Sequence, residues 1–325
     1  MSHDEPIYRL AGKRVWIAGH RGMVGAAVLR RLQQERCELL TVDRETVDLT
    51  RQEAVERWMD EARPQAIFLC AAKVGGILAN ESAPVPFLYD NLAIAANVIH
   101  AAAANDVEKL LYLGSSCIYP KFAPQPIQES ALLTGALEST NEWYAIAKIV
   151  GLKLCQAYRR QFGCDFIAAM PTNLYGPGDN FDLQSSHVIP ALIRKARDAK
   201  WGGHAEMVVW GSGTPRREFL HVDDAADALV RLMTHYSGES HVNVGSGSDV
   251  SILELAELIA RVVGFSGRVV TDSSKPDGTP RKLLDSSKLT NLGWRPRIEL
   301  ADGLASTYAW FERALADDAW KLQAG

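Results

Sequence analysis

The sequence predicts an α/β fold: a doubly wound parallel sheet carrying a smaller, discontinuous α/β lobe. Three observations predict it. Short, continuous apolar runs alternate with helical stretches through the first half of the chain, as in strands buried on both faces. A glycine-rich turn, Gly19-His20-Arg21-Gly22-Met23-Val24-Gly25, falls between the first apolar run and the first helical stretch. Beyond Gly176 the character changes, and a loop rich in Gly, Pro, Asp and Asn runs to Gln184 before a mixture of helices and short strands.

Each element follows from its residues. Residues 14–18 read as a buried first strand, and a helix follows the glycine turn to about Gln34. Residues 39–42 form a second strand ending at Asp43-Arg44, and residues 66–70 a third. An alanine-rich helix covers 94–104. Residues 109–113 are the fourth strand, which ends at Gly114-Ser115-Ser116. A long helix spans about 141–162, and 166–170 is the fifth strand. Crossovers between parallel strands are expected to be right-handed. In the second half, 207–210 and 267–270 read as strands and 223–236 as a helix. Residues 241–244 read as a strand returning to the first sheet. The predicted division is residues 1–175 with about 222–246 as a dinucleotide-binding domain, and about 176–221 with 247–325 as a substrate lobe.

Bulk properties narrow the function classes. A chain of 325 residues that is 47% hydrophobic builds a substantial core. The net charge of -4 argues against a dedicated nucleic-acid binder. No apolar run approaches the roughly 20 residues that span a bilayer. The start, Met1-Ser2-His3-Asp4-Glu5, lacks the basic and apolar regions of a secretory signal. The five cysteines are odd in number and show no CxxC spacing, so neither a disulfide framework nor a metal site is expected. A reducing cytoplasm is the expected setting.

The glycine turn carries the first chemistry. Gly19, Gly22 and Gly25 permit a tight turn and close approach of the backbone to a pyrophosphate, with free helix N–H groups behind it. Such a turn between strand and helix is the mark of a Rossmann-type domain. Asp43, 24 residues after Gly19, stands where an acid holds the ribose 2′-hydroxyl of NAD. Arg21 and Arg44 are shaped to bracket the 2′-phosphate of NADP instead. These residues leave both dinucleotides open.

The second chemistry is a proton relay. Tyr144 and Lys148 lie four apart on a predicted helix and so share a face. A free phenol titrates near 10, and a neighbouring ammonium is expected to lower that value. Ser115, at the end of the fourth strand, can donate to the same carbonyl oxygen as Tyr144. Cys117 lies two residues further on and adds a possible second acid or base.

In this order the residues resemble the extended short-chain dehydrogenase/reductases. They are most similar to the branch that takes GDP-4-keto-6-deoxy-D-mannose to GDP-L-fucose by 3,5-epimerisation and NADPH-dependent 4-reduction. The likeness covers nearly the whole chain. It rests on the glycine turn, Ala71-Ala72-Lys73-Val74-Gly75-Gly76-Ile77 and Gly114-Ser115-Ser116-Cys117-Ile118-Tyr119-Pro120. It rests further on Met170-Pro171-Thr172-Asn173-Leu174-Tyr175-Gly176-Pro177, Ser186-His187-Val188-Ile189-Pro190 and Lys275-Pro276-Asp277-Gly278-Thr279-Pro280-Arg281-Lys282.

The resemblance implies NADPH/NADP+ as cofactor, a GDP-linked 4-keto-6-deoxy sugar as substrate, and a homodimer built on a four-helix interface. It assigns catalysis to Ser115, Cys117, Tyr144, Lys148 and His187. It places the cofactor against Gly19, Arg21, Gly22, Met23, Val24, Gly25 and Arg44. Leu113, Gly114, Ser115, Ser116, Lys148, Pro171, Thr172, Asn173, Leu174 and His187 are expected to line its other end. The substrate's diphosphate calls for cations, for which Lys195, Arg217 and Lys282 are candidates, with Arg216 the lesser neighbour. Trp210 and Asp277 complete the expected substrate contacts. The C–H bonds flanking a 4-keto group are acidified, so one group must take a proton and another return it from the opposite face. A thiol near 8.5 and an imidazole near 6.5 suit both tasks, and the resemblance gives these roles to Cys117 and His187.

Three alternatives compete. A related nucleotide-sugar 4-epimerase or 4-reductase needs no thiol beside its serine. A dehydratase would carry an Asp-Glu pair where this chain has Ser116-Cys117. A catalytically silent NADP(H)-binding regulator would not need Ser115, Tyr144 and Lys148 together.

Overall fold

The computed structural model describes residues 5–275 and 277–317. The reading of the first four residues, Pro276 of the 275–282 motif and the end of the expected lobe therefore lie outside the described residues. The first half of the chain forms β1 (Arg14–Ala18), α1 (Met23–Leu32), β2 (Glu38–Leu40), α2 (Gln52–Ala62), β3 (Ala66–Leu69), α3 (Ile77–Ser82), α4 (Pro84–Ala104), β4 (Lys109–Leu113), α5 (Glu142–Phe162) and β5 (Asp165–Pro171). It continues with β6 (Asn173–Tyr175), α6 (Val188–Trp201), β7 (Glu206–Trp210), β8 (Arg216–His221), α7 (Val222–His235) and β9 (Val242–Val244). Last come β10 (Asp249–Ser251), α8 (Ile252–Val263), β11 (Arg268–Asp272), β12 (Arg281–Lys282), α9 (Ser287–Asn291) and α10 (Leu300–Ala316).

The main sheet has six strands in the order β2-β1-β3-β4-β5-β9, all parallel. The chain turns one way from β1 to β2 and the other way to β3, so a crevice opens at the C-terminal end of β1. The continuous apolar runs have a two-sided cause. Val15, Ile17, Phe68 and Leu111 face a core shared with α1 and α7. Trp16, Ile67, Leu110 and Tyr112 face the opposite core, shared with α2, α4 and α5. The interior positions of β1, β3, β4 and β5 are apolar because both of their faces are covered, while Arg14, Glu38, Lys109 and Asp165 stand at strand starts.

The remaining strands form two smaller sheets. β8 lies between β10 and β12 and also pairs with β6, while β11 pairs with β7. A third core under α6, α8 and α10 includes Phe181, Phe219, Leu255 and Phe311. Phe181 and Phe311 stack face to face at 3.9 Å.

Several elements depart from the sequence reading. β2 stops at Leu40, short of the predicted 39–42, so Asp43 lies in the loop beyond it, and α2, α3, β6, β10 and β12 are not among the elements read from the sequence. α4 begins at Pro84, ten residues before the predicted start, because prolines are accepted in a helix's first turn, where no N–H bond is lost. β8 begins with Arg216-Arg217-Glu218, charges that mask a strand whose last residues are buried.

Candidate active site

The glycine turn is built by close approach. Gly19 adopts φ +91°, and a Cβ there would lie 2.7 Å from the Ala71 backbone. A Cβ on Gly25 would lie 2.0 Å from the Gly19 carbonyl oxygen. Gly22 is different: a side chain there would meet only the Gly19 oxygen, at 3.5 Å, and otherwise face open space. Gly22 precedes α1, whose first-turn N–H groups receive no side-chain cap. The arrangement fits a pyrophosphate over the helix start. Arg21 Nε lies 2.7 Å from an Asp43 carboxylate oxygen, and His20 Nε2 lies 3.4 Å from the same oxygen. The loop cation and the acid three residues beyond β2 therefore form one pair, while the neighbouring Arg44 is exposed.

The proton relay sits where β4 ends. α5 crosses β4 closely because Gly151 has no side chain; a Cβ there would be 2.3 Å from the Tyr112 ring. Ser115 is extended at φ -161°, and its Oγ accepts the Cys117 N–H at 3.2 Å. That bond starts the short turn that brings Cys117 back toward α5. Tyr144 shares a hydrogen bond with Ser115. Lys148 Nζ donates to the Leu113 carbonyl at 2.8 Å and lies 5.6 Å from the Tyr144 ring centroid.

Here the electrostatic expectation needs correction. Burial pushes the Tyr144 phenol above its ordinary value, the nearby Cys117 adds to the rise, and only the Ser115 hydrogen bond opposes it. Burial also lowers Lys148 to about 8. The ammonium is directed at a backbone carbonyl, so the chain's own residues keep the phenol protonated.

Cys117 collects two donors from distant segments. Asn141 Nδ2 lies 3.4 Å from its sulfur, and Lys282 Nζ lies 3.7 Å away. Lys282 pairs in register with Arg217, since β12 runs beside β8. Arg216 is tied to Asp249 at 2.8 Å and Glu254 at 3.3 Å. Arg217 makes no ion pair among the described residues, which separates the two arginines that the sequence sets side by side. Burial holds Arg217 below its usual range, against the pull of Glu138, Asp277 and Cys117. Asn141 was not expected from the sequence; its only signal is a place one helical turn before Tyr144.

The other expected residues fall in separate groups. His187 immediately precedes α6 and makes no hydrogen bond to Ser115, Cys117 or Tyr144 among the described residues. The residue is exposed as a whole, while desolvation of the ring lowers its imidazole below the ordinary value. The segment before it is held by the Gly76 N–H, which donates to the Ser185 carbonyl at 2.8 Å. Lys195 Nζ stands 4.5 Å from the Trp210 ring centroid, with Lys275 at 5.6 Å. Asp277 accepts from the Ser212 N–H at 2.9 Å and its hydroxyl at 2.7 Å. Thr172 and Asn173 both donate to the Glu218 carbonyl, at 3.1 and 2.9 Å. Pro171 ends β5, and Leu174 packs on the first core.

Fold and glycine turn together are those of a dinucleotide-dependent enzyme. The chain belongs to the NAD dependent epimerase/dehydratase family, matched over residues 15–245. It is 59% identical over 313 residues to the GDP-L-fucose synthase of Sinorhizobium fredii, covering 96% of this chain and 100% of that protein. Over 313 residues it is 55% identical to the GDP-L-fucose synthase of Escherichia coli, covering 93% and 97%. The crystal structure of a GDP-L-fucose synthetase from Naegleria fowleri bound to NADP superposes with a TM-score of 0.88 at 28% identity, covering 96% of this chain and 98% of that one.

Proposed function

We propose that the chain epimerises GDP-4-keto-6-deoxy-D-mannose at C3 and C5 and reduces it at C4 with NADPH, giving GDP-L-fucose. The observation that carries this reading is the cluster of Ser115, Cys117 and Tyr144 at the end of β4, where a thiol stands beside two hydroxyl donors. Ser115 and Tyr144 hold the C4 oxygen. A base, Cys117 or His187, takes the proton from the neighbouring carbon, and the electron pair moves onto that oxygen. The other of the two returns a proton from the opposite face. Donors placed where the negative charge develops stabilise each of these steps.

NADPH supplies the hydride for C4 when it is bound. Tyr144 then gives its proton to the oxygen, with Lys148 behind it. The glycine turn and the start of α1 hold the pyrophosphate, and Arg21 and Arg44 the 2′-phosphate. Leu113, Gly114, Ser116 and residues 171–174 line the nicotinamide end. Arg217 and Lys282 face the substrate's diphosphate. Trp210, Lys195 and Asp277 bound the nucleotide end.

The finer assignments belong to the same reading. Residues 1–175 with 222–246 form the cofactor domain, and the rest the substrate lobe. The exposed Val85 and Tyr89 on α4, with Trp143 and Ile146 on α5, support a homodimer built on those helices. The cytoplasm is the proposed setting; among the described residues no helix is long and apolar enough to cross a membrane.

The test is isotope wash-in. Incubated in D₂O with the keto sugar, the chain is expected to place deuterium at C3 and C5, and Cys117→Ser to lose exchange by roughly 10²-fold or more. Undiminished exchange at both carbons in that variant would overturn the role of Cys117. With NADPH added, a product other than GDP-L-fucose would overturn the substrate assignment.

A further inference from the structure

We propose that Asn141 is a positioning residue for Cys117, holding its sulfur with the side-chain amide N–H while offering its carbonyl oxygen to a hydroxyl of the bound sugar. This rests on the reading of Cys117 as an epimerisation acid/base. Asn141 occupies the cap position of α5, where asparagine ordinarily accepts from the helix's own first N–H groups. Here it does not; no side-chain cap bond forms. Its Nδ2 turns to the Cys117 sulfur at 3.4 Å instead.

The other end of the amide points the same way. Asn141 Oδ1 is buried and has no hydrogen-bond partner among the described residues. Folded chains seldom leave such an acceptor unmatched, and those that do tend to reserve it for a ligand or a bound water. The residue is also held firmly in place. Its N–H donates to the Glu138 carbonyl at 3.2 Å, and the Glu138 carboxylate is clamped by Lys121 at 3.0 Å and Thr279 at 3.2 Å. Lys282 approaches the same sulfur at 3.7 Å. A thiolate that has just released a proton therefore meets an amide donor and an ammonium.

The test measures the sulfur itself. Whole enzyme is treated with iodoacetamide across a pH series, and alkylation of Cys117 is followed by the mass of its peptide. Asn141→Leu removes the donor at similar size; Asn141→Asp replaces it with a like charge. Both are expected to slow Cys117 alkylation at neutral pH by about tenfold and to move its midpoint upward, Asn141→Asp further. Deuterium wash-in is expected to fall in parallel, while NADPH binding, the check on folding, stays within about threefold. An unmoved midpoint in both variants, with NADPH still bound, overturns the proposal alone. Undiminished wash-in in Cys117→Ser instead overturns the reading it rests on.

Discussion

A phenol that donates a proton must first keep it. Tyr144 does so because burial and the adjacent Cys117 both disfavour its phenolate. Lys148, lowered to about 8, is within reach of losing its own charge near neutrality. Tyr144→Phe is expected to cut NADPH-dependent reduction by roughly 10²- to 10⁴-fold, the usual range for a lost general acid. NADPH binding, followed by titration, is expected to stay within a few fold; a variant that reduces at the original rate would remove Tyr144 as donor. Ser115, Cys117, Tyr144 and Lys148 are legible in the sequence because a strand end and one helical turn set their spacing. The donors around Cys117 are not legible, since Asn141 and Lys282 lie 24 and 165 residues away along the chain. Only the fold brings them to one sulfur.

At the scale of elements, the glycine turn separates two kinds of constraint. Gly25 is required by the chain, because a Cβ there runs into the Gly19 carbonyl. Gly22 is not, because its missing side chain leaves space facing outward. Gly25→Ala is therefore expected to lower the melting temperature and weaken NADPH together. Gly22→Ala is expected to leave the melting temperature within about 2 °C while weakening NADPH about tenfold or more. Equal melting losses in the two variants would show that this distinction is wrong. The strands of the main sheet are legible as apolar runs because both faces are buried. β8 is hidden because its first two residues are arginines, one tied to acids of neighbouring elements and the other turned toward the cleft. The early start of α4 is hidden because Pro84 reads as a break until its place in the first turn is seen.

For the whole molecule, acid sensitivity has an identifiable contributor. His241 is buried against the Tyr119 hydroxyl at 2.9 Å, and burial, with Lys288 and Lys153 nearby, lowers its imidazole to about 4. An unfolded histidine titrates near 6.5, so between those values the unfolded chain binds a proton that the fold refuses. Stability from this source is complete above about pH 6.5 and is lost as the pH falls toward 4, by about 2 kcal/mol at pH 5. Urea unfolding at pH 7 and pH 5 is expected to show that loss, and His241→Gln to reduce it; an identical loss in the variant would exclude His241 as its source.

β9 sits at the edge of the main sheet beside β5, yet the chain lays down β7, β8 and α7 before reaching it. On the ribosome, then, the five earlier strands of that sheet emerge with the β5 edge bare, and its neighbour is still to be translated. Until residue 244 clears the exit tunnel, Ala169 to Pro171 present unpaired backbone that a second nascent chain could zip onto. A polysome making this protein would be most vulnerable to cross-chain pairing during that interval.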